Sequence, residues 1–349
     1  MAKDIAEVIE MIKIYTEAQN KILDIIGSGK RVSKAYETRI IKQTNYVLKQ
    51  LINESKIWTN SKIPRQYKKA VNEAVTRAKN MGIEMNNYTK YETLHQEQIN
   101  ILIENTTDKY VIANSFVGRR INDTIRNVGL TSLRESLILN RSLTASRNDI
   151  ISRLIDNNVT SIKTSNGRNL NLTSYAETLA RSVMAESKNL AVIRHLQYDG
   201  FDLVRMSSHS TSCEVCAPLQ GRVYSISGLS DIYPPLRIAY GGIYANIHPN
   251  CRHFLIPYFP EKDPDREKTI EFSRRSFNID PRSSAQIDAY NERQRQNQKR
   301  ARDRRQWEKF KLMVPGMTPK TLTAFRRWKS QQNDKYKKLL KEYKSRISK

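Results

Sequence analysis

Apolar residues recur about every 3.6 positions through most of residues 1–158, a period that predicts a succession of amphipathic helices. The Gly-Ser-Gly sequence at 27–29 ends the first run, and a second run covers about residues 31–59. Pro64 stands where a third helix would begin, because proline is well tolerated in the first turn of a helix. We therefore expect the N-terminal part of the chain to be a helical scaffold.

Two longer periodic stretches continue this scaffold. One covers residues 88–128 and ends at Gly129, and the next runs from Thr131 to about Ile155. Helices that follow one another with short breaks and modest hydrophobicity predict elongated hairpins or a loose bundle.

Near residue 160 the pattern changes from the period of a helix to that of a strand. Two short alternating segments, 160–164 and 168–172, flank the dipeptide Asn166-Gly167. Asn-Gly favours a hairpin turn because both of its positions accept a positive φ angle. The sequence therefore predicts a β-hairpin.

Residues 159–260 as a whole are predicted to form a compact α+β domain. Ser174 and Glu177 have the spacing of a capping box ahead of an amphipathic helix over residues 175–198. Strand candidates follow at 202–207, at Tyr224 and at 254–258.

The chain carries a large positive charge. Its 349 residues include 60 Lys and Arg against 35 Asp and Glu, a formal net charge of +25. More than half of this excess lies in residues 282–349, which hold 21 Lys and Arg against six Asp and Glu. Such an imbalance favours a polyanionic partner, of which nucleic acid is the commonest. The sequence has three cysteines and no apolar run of the roughly 18–20 residues that span a membrane. It therefore predicts a soluble intracellular protein.

Residues 261–349 are predicted to form a basic helical arm. Helical propensity covers 285–311 and 319–348, with a break at Pro315-Gly316. Two interpretations stay open: aromatic residues of the arm pack against the body beneath a solvated charged face, or the arm faces phosphates. The candidate DNA-contacting residues are Arg300, Arg302, Arg304, Arg305, Arg326, Arg327, Lys337 and Lys338.

All three cysteines lie within 39 residues, beside other side chains that bind metals. Cys213 and Cys216 have the C-x-x-C spacing of a knuckle whose two thiolates reach one ion at about 2.3 Å. His248, Cys251 and His253 follow in a second short segment. Thiolates and imidazoles are soft or borderline ligands, which favour zinc over magnesium or calcium. We expect the three cysteines to bind Zn²⁺, with the two histidines competing for the fourth place.

A structural zinc is favoured over a catalytic one. A closed Cys/His site leaves no open position for water, and thiolates weaken the cation as a Lewis acid. The segment is rich in proline and glycine, so a metal would supply folding energy that a small core lacks. Two alternatives stay open, a redox-active C-x-x-C pair and side chains that merely pack together.

The other histidines are expected to be structural or ordinary loop residues. His95 and His195 lie in predicted helices. His209 lies in a loop four residues before Cys213, and a position near the metal or among polar groups around it stays open as an alternative. The sequence contains no nucleophile elbow, zinc-protease motif or phosphate loop, so we expect no enzyme.

Together these patterns predict a mainly α fold class in three parts. The parts are an elongated helical N-terminal region at 1–158, a small zinc-stapled α+β domain at 159–260 and a basic helical arm at 261–349.

Two runs in the middle part are distinctive, SCEVCAPLQGRVY at 212–224 and IHPNCRHFLIPYF at 247–259. This pair of runs closely resembles the minor capsid protein family of tailed bacteriophages and, more broadly, the Mu F-like head morphogenesis proteins. In the broader family the last position of the His-Pro-Asn-Cys-Arg-x block is often cysteine. Here it is His253, which keeps a ligand type, while His248 could instead anchor the turn.

The resemblance implies a non-enzymatic virion component. Such a protein would be a portal-associated head protein inside the capsid, made in the host cytoplasm, that assists head assembly or DNA packaging and delivery. Its partners would be the phage portal or the major capsid protein and, non-specifically, packaged double-stranded DNA.

Two other classes remain as alternatives. A zinc-dependent nuclease of the His-Cys type would need a general base and an open metal site, and the nearest acids, Glu214 and Asp231, form no nuclease-like pattern. A zinc-containing nucleic-acid-binding regulator would need a helix spaced to reach base edges, and nothing in the basic helices identifies such contacts.

Overall fold

The protein is mainly helical, as predicted, with two small antiparallel sheets in the part of the chain that the structure describes. The computed structural model describes residues 2–28, 34–139, 151, 161–163, 169–240, 247–248 and 251–347. The helices are α1 (Ala2–Gly27), α2 (Lys34–Asn80), α3 (Glu92–Leu139), α4 (Leu172–Tyr198), α5 (Arg237–Tyr240), α6 (Arg266–Arg274), α7 (Ser284–Met313), α8 (Leu322–Gln331) and α9 (Asp334–Ile347). The strands are β1 (Ser161–Lys163), β2 (Asn169–Asn171), β3 (Leu203–Met206), β4 (Val223–Ser225) and β5 (Leu255–Pro257), and short 3₁₀ helices cover Tyr88–Tyr91 and Pro260–Lys262.

Helix α2 continues through Pro64, so the prediction that a third helix begins there is wrong. A proline inside a helix removes one backbone hydrogen bond and costs about 3 kcal/mol. Here the neighbours on both sides are anchored, because Trp58, Ile63 and Tyr67 are fully buried. Burial of each such side chain contributes about 1.5–3 kcal/mol, which together outweighs the defect.

Helix α3 likewise continues through Gly129 and Thr131, and the predicted break there is wrong. A glycine in a helix interior costs only about 1 kcal/mol relative to alanine, which a helix of 48 residues tolerates. The predicted continuation to Ile155 cannot be compared, since apart from residue 151 the chain from 140 to 160 lies outside the described residues.

Strands β1 and β2 pair in an antiparallel hairpin, with Ser161 opposite Asn171. The predicted turn dipeptide, Asn166-Gly167, lies outside the described residues. Helix α4 then begins at Leu172, three residues before its predicted start, because the side chain of Asn171 accepts a hydrogen bond from the Thr173 backbone amide at 3.0 Å. An asparagine N-cap thus replaces the predicted capping box.

The chain folds into two compact units, each assembled from three stretches. Unit 1 comprises residues 1–9, 56–108 and 177–293, and unit 2 comprises residues 10–55, 109–176 and 294–349. The linear division at 158 and 260 stays a prediction. No helix in the described ranges is long and apolar enough to cross a membrane.

Unit 1 contains the three-stranded sheet, in the order β4-β3-β5. Val204 of β3 lies opposite Tyr224 of β4 on one side and Pro257 of β5 on the other. The buried residues of α4 and the sheet form one apolar cluster, which includes Val192, Ile193, Leu196, Val204, Met206, Tyr224 and Leu255. This core gives the loops at the ends of β3 and β5 a rigid base.

Unit 2 contains most of the basic arm, which has an aromatic core of its own. The ring of Phe310 in α7 lies 5.7 Å from that of Phe325 in α8 and 4.4 Å from that of Tyr343 in α9. The break at Pro315-Gly316 is confirmed, but the single helix predicted over 319–348 is wrong. Gln332 adopts a left-handed φ of 48° there and separates α8 from α9.

Candidate functional site

The predicted metal ligands come together in unit 1, at one end of the central sheet. Cys213 and Cys216 lie in the loop that follows β3, and His248, Cys251 and His253 lie in the segment that precedes β5. Because β3 and β5 are antiparallel neighbours, the last residue of β3 and the first residue of β5 lie at the same end of the sheet.

Each of the two segments is folded into a tight turn by its own backbone. The amide of Ala217 donates to the carbonyl of Cys213 at 2.9 Å, which closes the C-x-x-C turn. The amide of Cys251 donates to the carbonyl of His248 at 3.1 Å, which closes the second turn. Each turn therefore brings its own pair of candidate ligands close together.

The five side chains form two groups that share Cys216. In the first, the Nε2 atom of His248 lies 3.1 Å from the Sγ atom of Cys213 and 3.0 Å from that of Cys216. In the second, the Sγ atoms of Cys216 and Cys251 are 3.8 Å apart, and the Nδ1 atom of His253 lies 3.5 Å from Cys251 Sγ. Within each group all ligand atoms lie within 4.8 Å of one another.

The separations in the second group, from Cys251 to Cys216 and to His253, fit a metal better than a disulfide. Two sulfur or nitrogen ligands of one tetrahedral zinc stand about 3.5–3.8 Å apart, whereas bonded sulfurs stand about 2.05 Å apart. All three cysteines are free. The two groups contain three thiols and two imidazoles and no carboxylate, a set of donors typical of zinc sites.

The thiols are buried and electrostatically coupled. Cys216 and Cys251 are almost fully shielded from solvent, whereas Cys213 is half-buried. The hydrogen bond from Cys216 lowers the pKa of the Cys251 thiol, and the same hydrogen bond raises the pKa of Cys216. Without a cation the pair thus shares one proton, because two adjacent buried thiolates repel each other.

A polar shell behind the cluster orients His253. Its Nε2 atom lies 3.1 Å from the side-chain oxygen of Gln220, which also accepts the hydroxyl of Ser212 and the backbone amide of His209. Since Gln220 offers an oxygen acceptor, Nε2 carries the proton and Nδ1 is left facing Cys251. Metal-bound histidines are typically held in this way through their second nitrogen.

Sequence patterns do not reveal this shell. Gln220 lies four residues after Cys216 in a loop, where nothing in its residue type indicates a role. His209 is expected from the sequence to be an ordinary loop residue, with a place among the polar groups around the metal as the alternative. Its ring packs edge-on against His253 with 4.7 Å between ring centroids, which favours the alternative that its spacing to Cys213 suggests.

The predicted DNA-contacting residues lie on α7, α8 and α9 of unit 2. Seven are exposed, whereas Arg304 is half-buried and donates to the Ser174 hydroxyl at 3.1 Å. Arg326 lies 3.4 Å from the carboxylate of Asp303, which is buried. The exposed residues are Arg300, Arg302, Arg305, Arg326, Arg327, Lys337 and Lys338.

Comparison with known proteins gives the family. The family model described as Phage minor capsid protein 2 matches residues 2–341, which is nearly the entire chain. Neither the curated proteins nor the solved structures give a match. The chain belongs to the phage minor capsid protein 2 family and is a structural protein of the bacteriophage virion.

Proposed function

We propose that the protein is a non-enzymatic component of the phage head, located inside the capsid near the portal vertex, that holds one structural zinc and contacts packaged DNA. The observation that carries the structural role is the family match over residues 2–341. The zinc and the DNA contacts are argued from two features of the molecule, the Cys/His cluster of unit 1 and the exposed cations of unit 2.

The proposed zinc is held by Cys213, Cys216 and Cys251 together with one histidine. The contact of His248 with two sulfurs and the orientation of His253 by Gln220 each support one candidate for the fourth ligand. A site of four protein ligands leaves no position for water, so the metal would fasten the loops around β3 and β5 and would not catalyse a reaction.

The proposed DNA contact is non-specific. Exposed Arg and Lys side chains bind phosphate oxygens and release condensed counterions, which gives affinity without reading bases. The arm holds its helices together through its own aromatic core, so its cations stand on a folded surface. Packaged double-stranded DNA is the polyanion that a head protein inside the capsid would meet.

The proposed protein partners are the phage portal and the major capsid protein. A minor capsid protein assembles with other virion components, and we propose that this chain does so after synthesis in the host cytoplasm. The role in head assembly and in DNA packaging or delivery follows from the proposed position beside the portal, where DNA enters and leaves.

DNA binding is tested by fluorescence anisotropy with a labelled duplex of about 30 base pairs over a range of salt concentrations. The variant replaces Arg300, Arg302, Arg305 and Arg327 with glutamine. The matched control replaces four exposed cations of unit 1 with glutamine, namely Lys79, Lys90, Arg266 and Arg274.

We expect the arm variant to bind at least tenfold more weakly and to show a shallower salt dependence. The log–log slope should decrease by about 0.9 for each phosphate that the variant no longer neutralises. The control should retain the affinity and the slope of the unmodified protein. Equal losses in both variants would show that net charge alone drives binding, and an unchanged arm variant would refute the proposed DNA contact.

A further inference from the structure

Helices α7 and α8 of unit 2 enclose a basic cleft of about 580 Å³. Five cations and a single acidic residue line it, which gives the cleft a strongly positive lining. These residues are Lys299, Arg302, Asp303, Arg326, Arg327 and Lys329.

The acidic residue organises one side of the cleft. Asp303 is buried, and its carboxylate binds the Lys329 ammonium at 2.7 Å and lies 3.4 Å from the Arg326 guanidinium. Lys329 also donates to the side-chain oxygen of Gln306 at 2.7 Å. Two of the five cations therefore share one carboxylate and are held in place by it.

The other three cations are Lys299, Arg302 and Arg327. All three are exposed, and no carboxylate in the described part of the chain forms an ion pair with them. An uncompensated group of cations around a concave surface attracts an anion with at least two charges. Arginine is the side chain best suited to a phosphate, since its planar guanidinium donates two parallel hydrogen bonds.

The walls of the cleft are held by packing beneath them. Phe325 of α8 is fully buried against Phe310 of α7, and Trp307 donates its indole N–H to the carbonyl of Pro319 at 2.9 Å. The C-terminal end of α8 is closed by the Gln332 backbone amide, which bonds the carbonyl of Lys329. Binding here costs little ordering of the backbone, so a ligand gains most of the electrostatic attraction.

We propose that this cleft binds the phosphodiester backbone of double-stranded DNA and is the principal DNA contact of the arm. The proposal rests on the DNA contact proposed above and narrows it from a dispersed basic face to one preformed site. It adds Lys299 to the contacting residues and gives Asp303 a positioning role, because that carboxylate fixes Lys329 and Arg326.

The test compares two triple variants that remove the same charge. The cleft variant is K299Q/R302Q/R327Q, and the matched variant is R300Q/R305Q/K338Q, whose positions are exposed on α7 and α9 but outside the cleft lining. The probe is the same labelled duplex, and polyglutamate serves as a polyanion without phosphates. Thermal melting checks that each variant is folded. If the triple variant melts at a lower temperature than the unmodified protein, the single variants R302Q and R327Q replace it in the comparison.

We expect the cleft variant to lose at least tenfold in affinity for the duplex, the matched variant less than threefold, and polyglutamate to bind far more weakly than DNA. Equal losses in the two variants would refute the cleft while leaving DNA binding by the arm intact. No loss in either would refute both. Polyglutamate that binds as tightly as the duplex would show an acidic protein surface to be the ligand.

Discussion

The two histidines of the Cys/His cluster are held by different contacts. His253 is buried, and Gln220 and His209 fix its ring, whereas His248 is half-buried and contacts the sulfurs of the C-x-x-C pair. The 3.5 Å between His253 Nδ1 and Cys251 Sγ matches the separation of two ligands of one zinc. The distances from His248 to its sulfurs are shorter than that separation.

We therefore expect His253→Ala to weaken zinc binding more than tenfold relative to His248→Ala, measured by competition with a zinc-binding dye. Loss of a ligand should exceed the roughly 10- to 100-fold cost of losing an outer hydrogen-bond partner such as Gln220. His209→Ala serves as the control, because it removes a neighbouring imidazole without removing a candidate ligand. The reverse order of the two affinities would assign the fourth place to His248.

Residue type and spacing are enough to identify the candidate ligands but not their surroundings. The structure brings together the residues that the sequence singles out, Cys213, Cys216, Cys251 and the two histidines. They could be identified in advance because the spacing typical of metal ligands is local and chemically distinctive. Gln220 acts only through the fold, which brings it behind His253. A polar residue in a loop carries no comparable signal, so the structure was needed to find it.

At the level of the elements, three helices of unit 1 meet in a buried histidine pair. Tyr67 of α2 contacts His95 of α3 through a hydrogen bond of 3.2 Å, and His95 contacts His195 of α4 at 3.1 Å. His195 Nε2 donates to the carbonyl of Asn86 at 2.8 Å. Both rings are fully buried, and the groups around them are Tyr88, Tyr91, Tyr198 and Asp199.

The buried pair His95 and His195 should make the folded protein less stable in acid. Burial lowers the pKa of His95 to about 4 and lowers that of His195, so the folded protein keeps both rings neutral while the unfolded chain binds protons near pH 6.5. The stabilising contribution is complete above about pH 6.5 and is lost as the pH falls towards 4.

We expect the melting temperature of the unmodified protein to fall more steeply between about pH 6.5 and 4.5 than that of His95→Gln, measured by differential scanning fluorimetry. Glutamine keeps a hydrogen-bonding side chain but does not titrate. Both proteins share the same Cys/His cluster, so the difference between their profiles reports the titration of His95. Parallel profiles would show that His95 does not bind a proton on unfolding.

Helices and strands were predictable where the local sequence pattern determines them. They were not predictable where burial against other parts of the protein determines them. The hairpin strands, α4 and the break before α8 follow from alternation, amphipathicity and a Pro-Gly pair. The ends predicted at Pro64 and Gly129 are wrong, because the penalties for these residues are small beside the burial or length of the helices that contain them. The spacing of apolar residues describes one helix by itself and does not reveal the segments that pack against it and stabilise it.

At the level of the whole molecule, each unit draws on the N-terminal, middle and later parts of the chain. Composition along the sequence could reveal the basic arm, but it could not show which distant segments fold together. The family resemblance rests on two short runs around the cysteines, whereas the family match covers residues 2–341. The family match therefore also includes the N-terminal helices and most of the basic arm.

The central claim, that the loops around β3 and β5 fold around one structural zinc, is tested most directly by native mass spectrometry combined with hydrogen exchange, before and after a chelator. Structural zinc supplies about 10–16 kcal/mol in small zinc-dependent domains, so its removal should release these loops. Cys216→Ser provides the genetic counterpart, since both ligand groups contain Cys216. Ser210→Ala, an exposed change in the same loop, is its control.

We expect one zinc per chain, and we expect chelation and Cys216→Ser each to accelerate exchange over residues 203–257 while the aromatic core of the arm stays protected. A protein purified without bound metal, or one whose exchange over 203–257 is unchanged when zinc is removed, would contradict the structural zinc. The cluster would then be a set of packed thiols and imidazoles, and the stability of the sheet would rest on its apolar core alone.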